Sequence, residues 1–335
     1  MSGAKGETRD GVALTNLDQN LFDGAGATKR DLLDHLDALS GLLLPVLADR
    51  PLSVVRVLPN RGRGGGEEAF MQKNVPKYTP DYVKTVAVWA ESSRREISYA
   101  LCDDRKPLLW FGNQRAVEYH PTVATASRPL RPTHLVLDID PPEGGDFALA
   151  VRAARLVRQA LADCGLAGAV KTSGAKGLHI FVPVVEAEAA DDMAAAMRAV
   201  AARAERLDPD LATTAFIRDE RGGKVFLDST RAHGATVVAA YSPRVRPGAP
   251  VSFPVPWDDL DSVRPADFTV KNAAALLDGR DRWAESMPEA VALPEDLIAE
   301  GHTIPVARVQ AMHEGKRRKR AAAKAAETEG GDSGT

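Results

Sequence analysis

Two aspartates, Asp138 and Asp140, close the apolar run His134-Leu135-Val136-Leu137-Asp138-Ile139-Asp140. Such a run reads as a short buried strand. Side chains alternate across a strand, so both carboxylates point the same way, roughly 6.5–7 Å apart at Cα. Carboxylates held this close repel one another unless a cation sits between them. Hard divalent ions such as Mg²⁺ or Mn²⁺ prefer oxygen ligands of this kind. The plainer alternative is a pair of aspartates opening a surface turn, since Pro141 and Pro142 follow.

A second stretch has chemistry of its own. Lys171-Thr172-Ser173-Gly174-Ala175-Lys176-Gly177-Leu178-His179 sets glycines, lysines, hydroxyls and a histidine between two predicted strands. Glycines let backbone N–H groups turn inward as an anion nest, and lysines answer phosphate charge. The pattern is not a Walker A loop, and a hairpin turn with exposed lysines is the simpler reading. His179 alternates with Ile180 and Val182, so it is either a satisfied buried histidine or a group facing the same cleft. Asp228 closes another apolar run, Val225-Phe226-Leu227. Three strand-end acids would suffice for two metal ions that activate a 3′-hydroxyl and stabilise a leaving pyrophosphate. Tyr241-Ser242-Pro243-Arg244-Val245-Arg246-Pro247-Gly248 offers arginines that could clamp a triphosphate or lie on a solvated loop.

The surrounding chain must position these groups. Its 335 residues are 44% hydrophobic and 27% charged, enough for one large domain or two closely packed ones. With a formal net charge of −3, any nucleic-acid partner has to be met by local basic patches. Cys102 and Cys164 lack metal-ligand spacing and suit a reducing compartment. No signal peptide or membrane-length apolar run is present, so the expectation is a cytoplasmic protein without a membrane partner. Thr28 and Asp31 have the spacing of a helix N-cap and its third position, followed by a leucine face from Leu32 to Leu47 that Pro45 could kink. Strands are expected at Leu52 to Leu58, Val83 to Trp89, Glu96 to Leu101, Ala169 to Lys171, Leu178 to Val184 and Val237 to Tyr241. Helices are expected over Phe147 to Cys164 and Asp191 to Leu207, and Gly112-Asn113 is read as a helix start. Residues 1–13 read as disordered. The pattern dissolves from about 296, and residues 296–335 read as a largely disordered tail containing the basic run Lys316 to Arg320.

Taken in order and spacing, His134 to Pro141, Lys171 to His179, Val225 to Asp228 and Gly234 to Arg244 resemble the polymerase module of bacterial DNA ligase D, in the archaeo-eukaryotic primase superfamily. The likeness runs from about Leu14 to Met287 and takes in Thr28-Lys29, Phe70-Met71-Gln72-Lys73 and Glu118-Tyr119-His120-Pro121. It implies an α/β (α+β) fold: a two-part body, residues 14–130 and 131–295, whose catalytic half resembles an RNA-recognition-motif sheet. It also implies roles. Asp138, Asp140 and Asp228 would be catalytic and hold two Mn²⁺ or Mg²⁺ ions. Ser173, Lys176, Gly177, His179 and Arg244 would hold the nucleotide triphosphate, with His120 near its sugar. Asn16, Lys29, Phe70 and Lys73 would meet DNA.

The implied activity is template-directed nucleotidyl transfer that fills short gaps or ends in DNA repair. Ribonucleotides are expected to be accepted, gapped or end-containing DNA is the macromolecular partner, and the nucleoid is the place of work. A separate DNA ligase and a DNA-end-binding protein are candidate collaborators. Some positions depart from the family's pattern. Gln19 stands where a lysine helps hold a DNA 5′-phosphate, Ser229 stands where tyrosine is usual, and the loop Arg61 to Glu68 is long. Two alternatives belong to other classes: a haloacid-dehalogenase-like phosphatase, which also uses a strand-end Asp-x-Asp, and a non-catalytic relative that only binds DNA ends.

Overall fold

The computed structural model describes residues 7–58, 68–90, 94–185, 189–232 and 235–306. The chain divides into two units, Met1–His302 and Thr303–Thr335, and of the second only 303–306 are described. The long loop read at Arg61 to Glu68 and the basic run at 316–320 lie outside the described residues, apart from Glu68.

The N-terminal half is built on a sheet flanked by helices. Residues assigned to disorder include a small hairpin, β1 (Thr8–Arg9) and β2 (Val12–Ala13). Helix α1 (Lys29–Ala38) starts where its capping signal lies: the Thr28 hydroxyl accepts from Asp31 N, and Asp31 accepts from Thr28 N in return. It stops at Leu39, before α2 (Ser40–Leu47), so the break precedes Pro45, which sits inside α2. The strands β3 (Leu52–Leu58), β4 (Glu68–Gln72), β5 (Thr85–Ala90) and β6 (Arg95–Ala100) follow. Helix α3 (Arg105–Asn113) is capped by Asp104, whose side chain accepts from Lys106 N. Gly112-Asn113 is therefore a helix end and not a start. A Cβ at Gly112 would lie 2.7 Å from Leu36 Cδ1, so glycine is what lets α3 close on α1. Glu118 and His120 lie on β7 (Ala116–Pro121), which pairs antiparallel with β3.

The second sheet carries the acids. Its elements in chain order are β8 (His134–Asp140), α4 (Phe147–Ala162), β9 (Ala169–Thr172), β10 (Leu178–Pro183), α5 (Ala190–Leu207), β11 (Ala212–Thr213) and β12 (Val225–Asp228). Strand order is β11-β12-β8-β10-β9, and β12, β8, β10 and β9 pair antiparallel. This is the split βαββαβ arrangement expected of an RNA-recognition-motif-like sheet. The apolar stripe of α4 is buried at Phe147, Val151, Ala154, Val157 and Leu161, each larger side chain contributing roughly 1.5–3 kcal/mol. Cys164 lies past the helix end and is only half-buried.

Two further expectations are corrected. Val237 to Tyr241 is buried but not a regular strand. Val237 N and Ala239 N donate to Pro121 O and Tyr119 O, then Tyr241 turns to φ 68 and donates to Ser252 O. A tyrosine in the left-handed region departs from the extended backbone of a strand. The pattern also does not dissolve at 296, because a helix spans Glu295–Thr303. Arg203 holds it to α5 through Glu300 at 2.7 Å. Among the described residues no helix is long and apolar enough to cross a membrane.

Tyr241 O accepts from His35 Nε2 at 2.8 Å, which ties α1 to the segment leading to Arg244. Burial pushes the His35 ring down to about 4. The unfolded chain takes up a proton near pH 6.5 and the folded chain does not until about 4. More protons bind the unfolded state across that window, so stability is lost as pH falls through it. Urea denaturation at pH 7 and pH 5 should show a drop about 2 kcal/mol larger in wild type than in His35→Gln. Equal drops would show that the ring titrates normally when folded.

Candidate active site

Sheet register places four polar side chains in one row. Asp228 on β12 stands opposite Asp138 on β8, Asp138 opposite His179 on β10, and His179 opposite Lys171 on β9. All four are buried, and Lys171 is 0% exposed. His179 Nε2 lies 3.3 Å from Asp138 Oδ1. An ionised carboxylate only accepts, so the ring proton sits on Nε2 and Nδ1 is free to accept from Lys171 Nζ at 2.8 Å. Lys171 also donates to Ser252 Oγ at 2.6 Å. Burial, with the Lys171 charge, holds His179 down at about 4, and burial lowers Lys171 well below the ordinary lysine range. Sequence reasoning counts Lys171 among the lysines that answer phosphate charge, whereas here it is buried behind His179 and does not line the cavity described below. Alternation along its strand is a usable signal, because it faces the same way as a buried histidine one hairpin away.

The acids form an electrostatic cluster. Burial alone would raise Asp138, but His179 and the Arg231 guanidinium hold it below the usual carboxylate range. Asp140 goes the other way, raised by burial and then by the charge of Asp138. Asp228 Oδ1 accepts from Thr230 N at 2.9 Å and Thr230 Oγ1 at 2.6 Å, which fixes its orientation. Among the described residues no three acidic, histidine or cysteine side chains stand ready-made around an ion position. A guanidinium takes that place: Arg231 Nη2 lies 2.8 Å from Asp138 Oδ2 and 3.2 Å from Asp228 Oδ2. A cation is thus drawn between two strand-end carboxylates, with a third destabilised beside them, and carboxylate oxygens are donors of the kind a hard divalent ion takes.

Next to the acids is a cavity of about 510 Å³, lined by Asp138, Asp140, Ser173, Lys176, His179 and Arg244 among others. Ser173 Oγ accepts from Ala175 N at 3.2 Å and Gly177 N at 3.1 Å, so the hydroxyl shapes the turn from within. Gly177 is pressed onto β8, and a Cβ there would overlap Ile139 O. Its position therefore serves the turn's approach to the acid strand. Lys176 Nζ donates to Pro141 O at 2.8 Å, beside Asp140. Arg244 donates to Ser173 O and lies 3.1 Å from Glu118 Oε2.

Glu118 binds the other groups together. Its Oε2 accepts from His120 Nε2 at 2.8 Å, and its Oε1 from Val245 N at 2.8 Å. Burial would raise this carboxyl, yet the His120 hydrogen bond and Arg244 hold it at about 2. His120 is thereby linked to Arg244 without lining the cavity itself. Glu118 is a residue whose role sequence reasoning misses, because a lone strand glutamate carries no distinguishing mark.

The residues expected at DNA lie elsewhere. Asn16 is exposed at φ 53. Lys29 is 2% exposed, and its Nζ donates to Thr15 O at 2.6 Å and Asn113 Oδ1 at 2.7 Å. It anchors the N-terminal loop from beneath. Phe70 is half-buried on β4 with the Arg56 guanidinium 5.9 Å from its ring, and Lys73 is exposed just past the strand.

Residues 28–283 match the family described as LigD, primase-polymerase domain. The bifunctional non-homologous end joining protein LigD of Bacillus subtilis (strain 168) is 33% identical over 263 residues, covering 77% of this chain and 41% of that protein. The multifunctional non-homologous end joining DNA repair protein LigD of Mycobacterium tuberculosis (H37Rv) is 34% identical over 268 residues, 77% of this chain and 34% of that one. The chain thus spans 41% or less of the length of these relatives. The solved polymerase domain from M. tuberculosis ligase D in complex with DNA superposes with a TM-score of 0.72 at 31% identity, covering 84% of this chain and all of that one. Its α+β architecture is the one described above. The chain belongs to the LigD primase-polymerase domain family, metal-dependent nucleotidyltransferases of the archaeo-eukaryotic primase superfamily.

Proposed function

We infer that this protein adds nucleotides to a DNA 3′-hydroxyl under template direction, filling short gaps or ends in repair. The observation that carries the reading is the Asp228–Asp138–His179–Lys171 row beside the cavity framed by Ser173, Lys176 and Arg244. The 3′-hydroxyl gives up its proton to solvent, its oxygen bonds to the α-phosphorus, the bond from that phosphorus to the bridging oxygen breaks, and pyrophosphate leaves. Asp138, Asp140 and Asp228 would hold two Mn²⁺ or Mg²⁺ ions, which supply charge for the attacking and leaving oxygens. The protein's own part is positioning and electrostatics. Lys176 and Arg244 face the triphosphate. Ser173 shapes the turn beneath it and Gly177 lets that turn reach β8. His179 keeps Asp138 oriented through a fixed tautomer, and His120 lies toward the sugar.

Exposed Asn16 and Lys73 and half-buried Phe70 are the groups offered to DNA, and Lys29 holds the loop that presents Asn16. With Gln19 exposed nearby and Lys29 buried, a DNA 5′-phosphate gains little charge there. Ribonucleotides are the favoured substrates, the nucleoid is the place of work, and a separate ligase and DNA-end-binding protein complete the repair. A haloacid-dehalogenase-like reaction would need Asp138 free as a nucleophile, whereas its oxygens face His179 and Arg231.

The test is a short-gapped duplex, with and without a 5′-phosphate, incubated with each ribo- and deoxynucleoside triphosphate and Mn²⁺ or Mg²⁺. Templated extension by one or a few nucleotides is expected, ribonucleotides at least as well as deoxynucleotides, with a small effect of the 5′-phosphate. Binding of the duplex without extension under every condition would leave the non-catalytic reading standing instead.

A further inference from the structure

Arg231 has no part in the reaction just described, yet it makes the closest cationic contact to two of its three acids. The geometry is specific. Asp138 turns Oδ1 to His179 and Oδ2 to Arg231. Asp228 turns Oδ1 to Thr230 and Oδ2 to Arg231. The two oxygens that face each other across the β8–β12 pair are therefore both held by one nitrogen, Arg231 Nη2. Asp138 and Asp228, as metal ligands, would offer these same two oxygens to a divalent ion. Guanidinium nitrogen and metal cannot share that place at ordinary contact distances.

The arginine also reaches solvent. It lies past the end of β12, outside regular structure, with its side chain 35% exposed. Among the described residues its buried Nε has no hydrogen-bond partner, and its ion pairs are those to the two carboxylates. Without a counter-charge the paired acids would repel one another across adjacent strands.

We propose that Arg231 is a built-in counter-ion that fills the shared oxygen pair of Asp138 and Asp228 in the resting protein and competes with divalent metal for it. Metal entering the site displaces the guanidinium toward solvent, and the site's affinity for metal is set partly by that displacement. The residue thus trades metal affinity for a stable metal-free sheet. The proposal rests on the assignment of Asp138 and Asp228 as metal ligands.

Binding of Mn²⁺ to the full chain, read from the loss of the free-ion electron paramagnetic resonance signal, tests it without any turnover. Arg231→Gln should bind Mn²⁺ on the order of tenfold more tightly than wild type, the usual scale of coupling between competing interactions. Arg231→Lys, which keeps the charge on a more strongly hydrated ammonium at the end of a flexible stem, should fall between. Thermal unfolding gives a second readout. Metal-free Arg231→Gln should melt below wild type, and saturating Mn²⁺ should close that gap. Equal Mn²⁺ affinity in wild type and Arg231→Gln overturns the proposal and leaves the metal assignment intact. No Mn²⁺ uptake by either protein overturns the assignment, and the proposal with it.

Discussion

Changing Asp138 and Asp140 together to alanine should leave binding to gapped duplex in place and remove nucleotide addition. A loss of at least about 10³-fold is expected, the upper end for deleting one preorganised electrostatic group. DNA binding is spared because the candidates for it, Asn16, Phe70 and Lys73, do not line the cavity beside the acids. Asp138→Ala also strips His179 and Arg231 of their shared partner, so Asp140→Asn is the cleaner companion. Asp140 makes none of those contacts, and its carboxyl is already raised by burial and its acidic neighbours. Primer extension on a one-nucleotide gap, beside a gel-shift assay on the same duplex, reads both properties. Extension at the wild-type rate in either variant would remove the acids from the chemistry altogether.

Glu118→Ala should produce the second-largest effect, although the residue does not line the cavity. It leaves the Arg244 guanidinium, the His120 ring and Val245 N without their common acceptor. Breaking a buried ion pair from one side costs about 3–5 kcal/mol. Removing the hydrogen-bonding support behind a reactive group typically lowers activity roughly 10–100-fold. The loss should fall mainly on KM for the nucleoside triphosphate, because Arg244 is the cavity group released. Glu118→Gln retains an acceptor for Val245 N and should be milder in stability than in KM. An unaltered nucleotide dependence in Glu118→Gln, in a folded protein, would mean that Arg244 does not need its carboxylate.

How much of this is legible in the sequence depends on whether the information is local. The shared face of Asp138 and Asp140 follows from strand alternation alone, and the Thr28–Asp31 cap and the α4 stripe follow from spacing. Which strand lies beside β8 is not local. That Asp228 faces Asp138 depends on β12 arriving after α5, which no spacing near Asp228 reveals. The roles of Lys171 and Glu118 escape notice because each looks like an ordinary exposed charge until its side chain is seen to be buried. Lys29 reads as an open cation for the reverse reason: a helix N-terminus suggests exposure, but here it is roofed by the Thr15 loop. Val237 to Tyr241 misleads because a fully apolar run suits a buried irregular segment as well as a strand. Its true course is set by partners on β7 and at Ser252.

The ladder pairing of Asp228, Asp138, His179 and Lys171 has one more consequence. Because neighbouring residues on a strand face opposite sides, sliding β8 or β10 by a single position would carry its reactive group into the apolar layer under the helices and bring a leucine or isoleucine up in its place. No half-assembled version of this centre can exist with partial competence. During refolding, catalytic capacity should return in step with the correctly aligned sheet, as an all-or-none gain and not a gradual one.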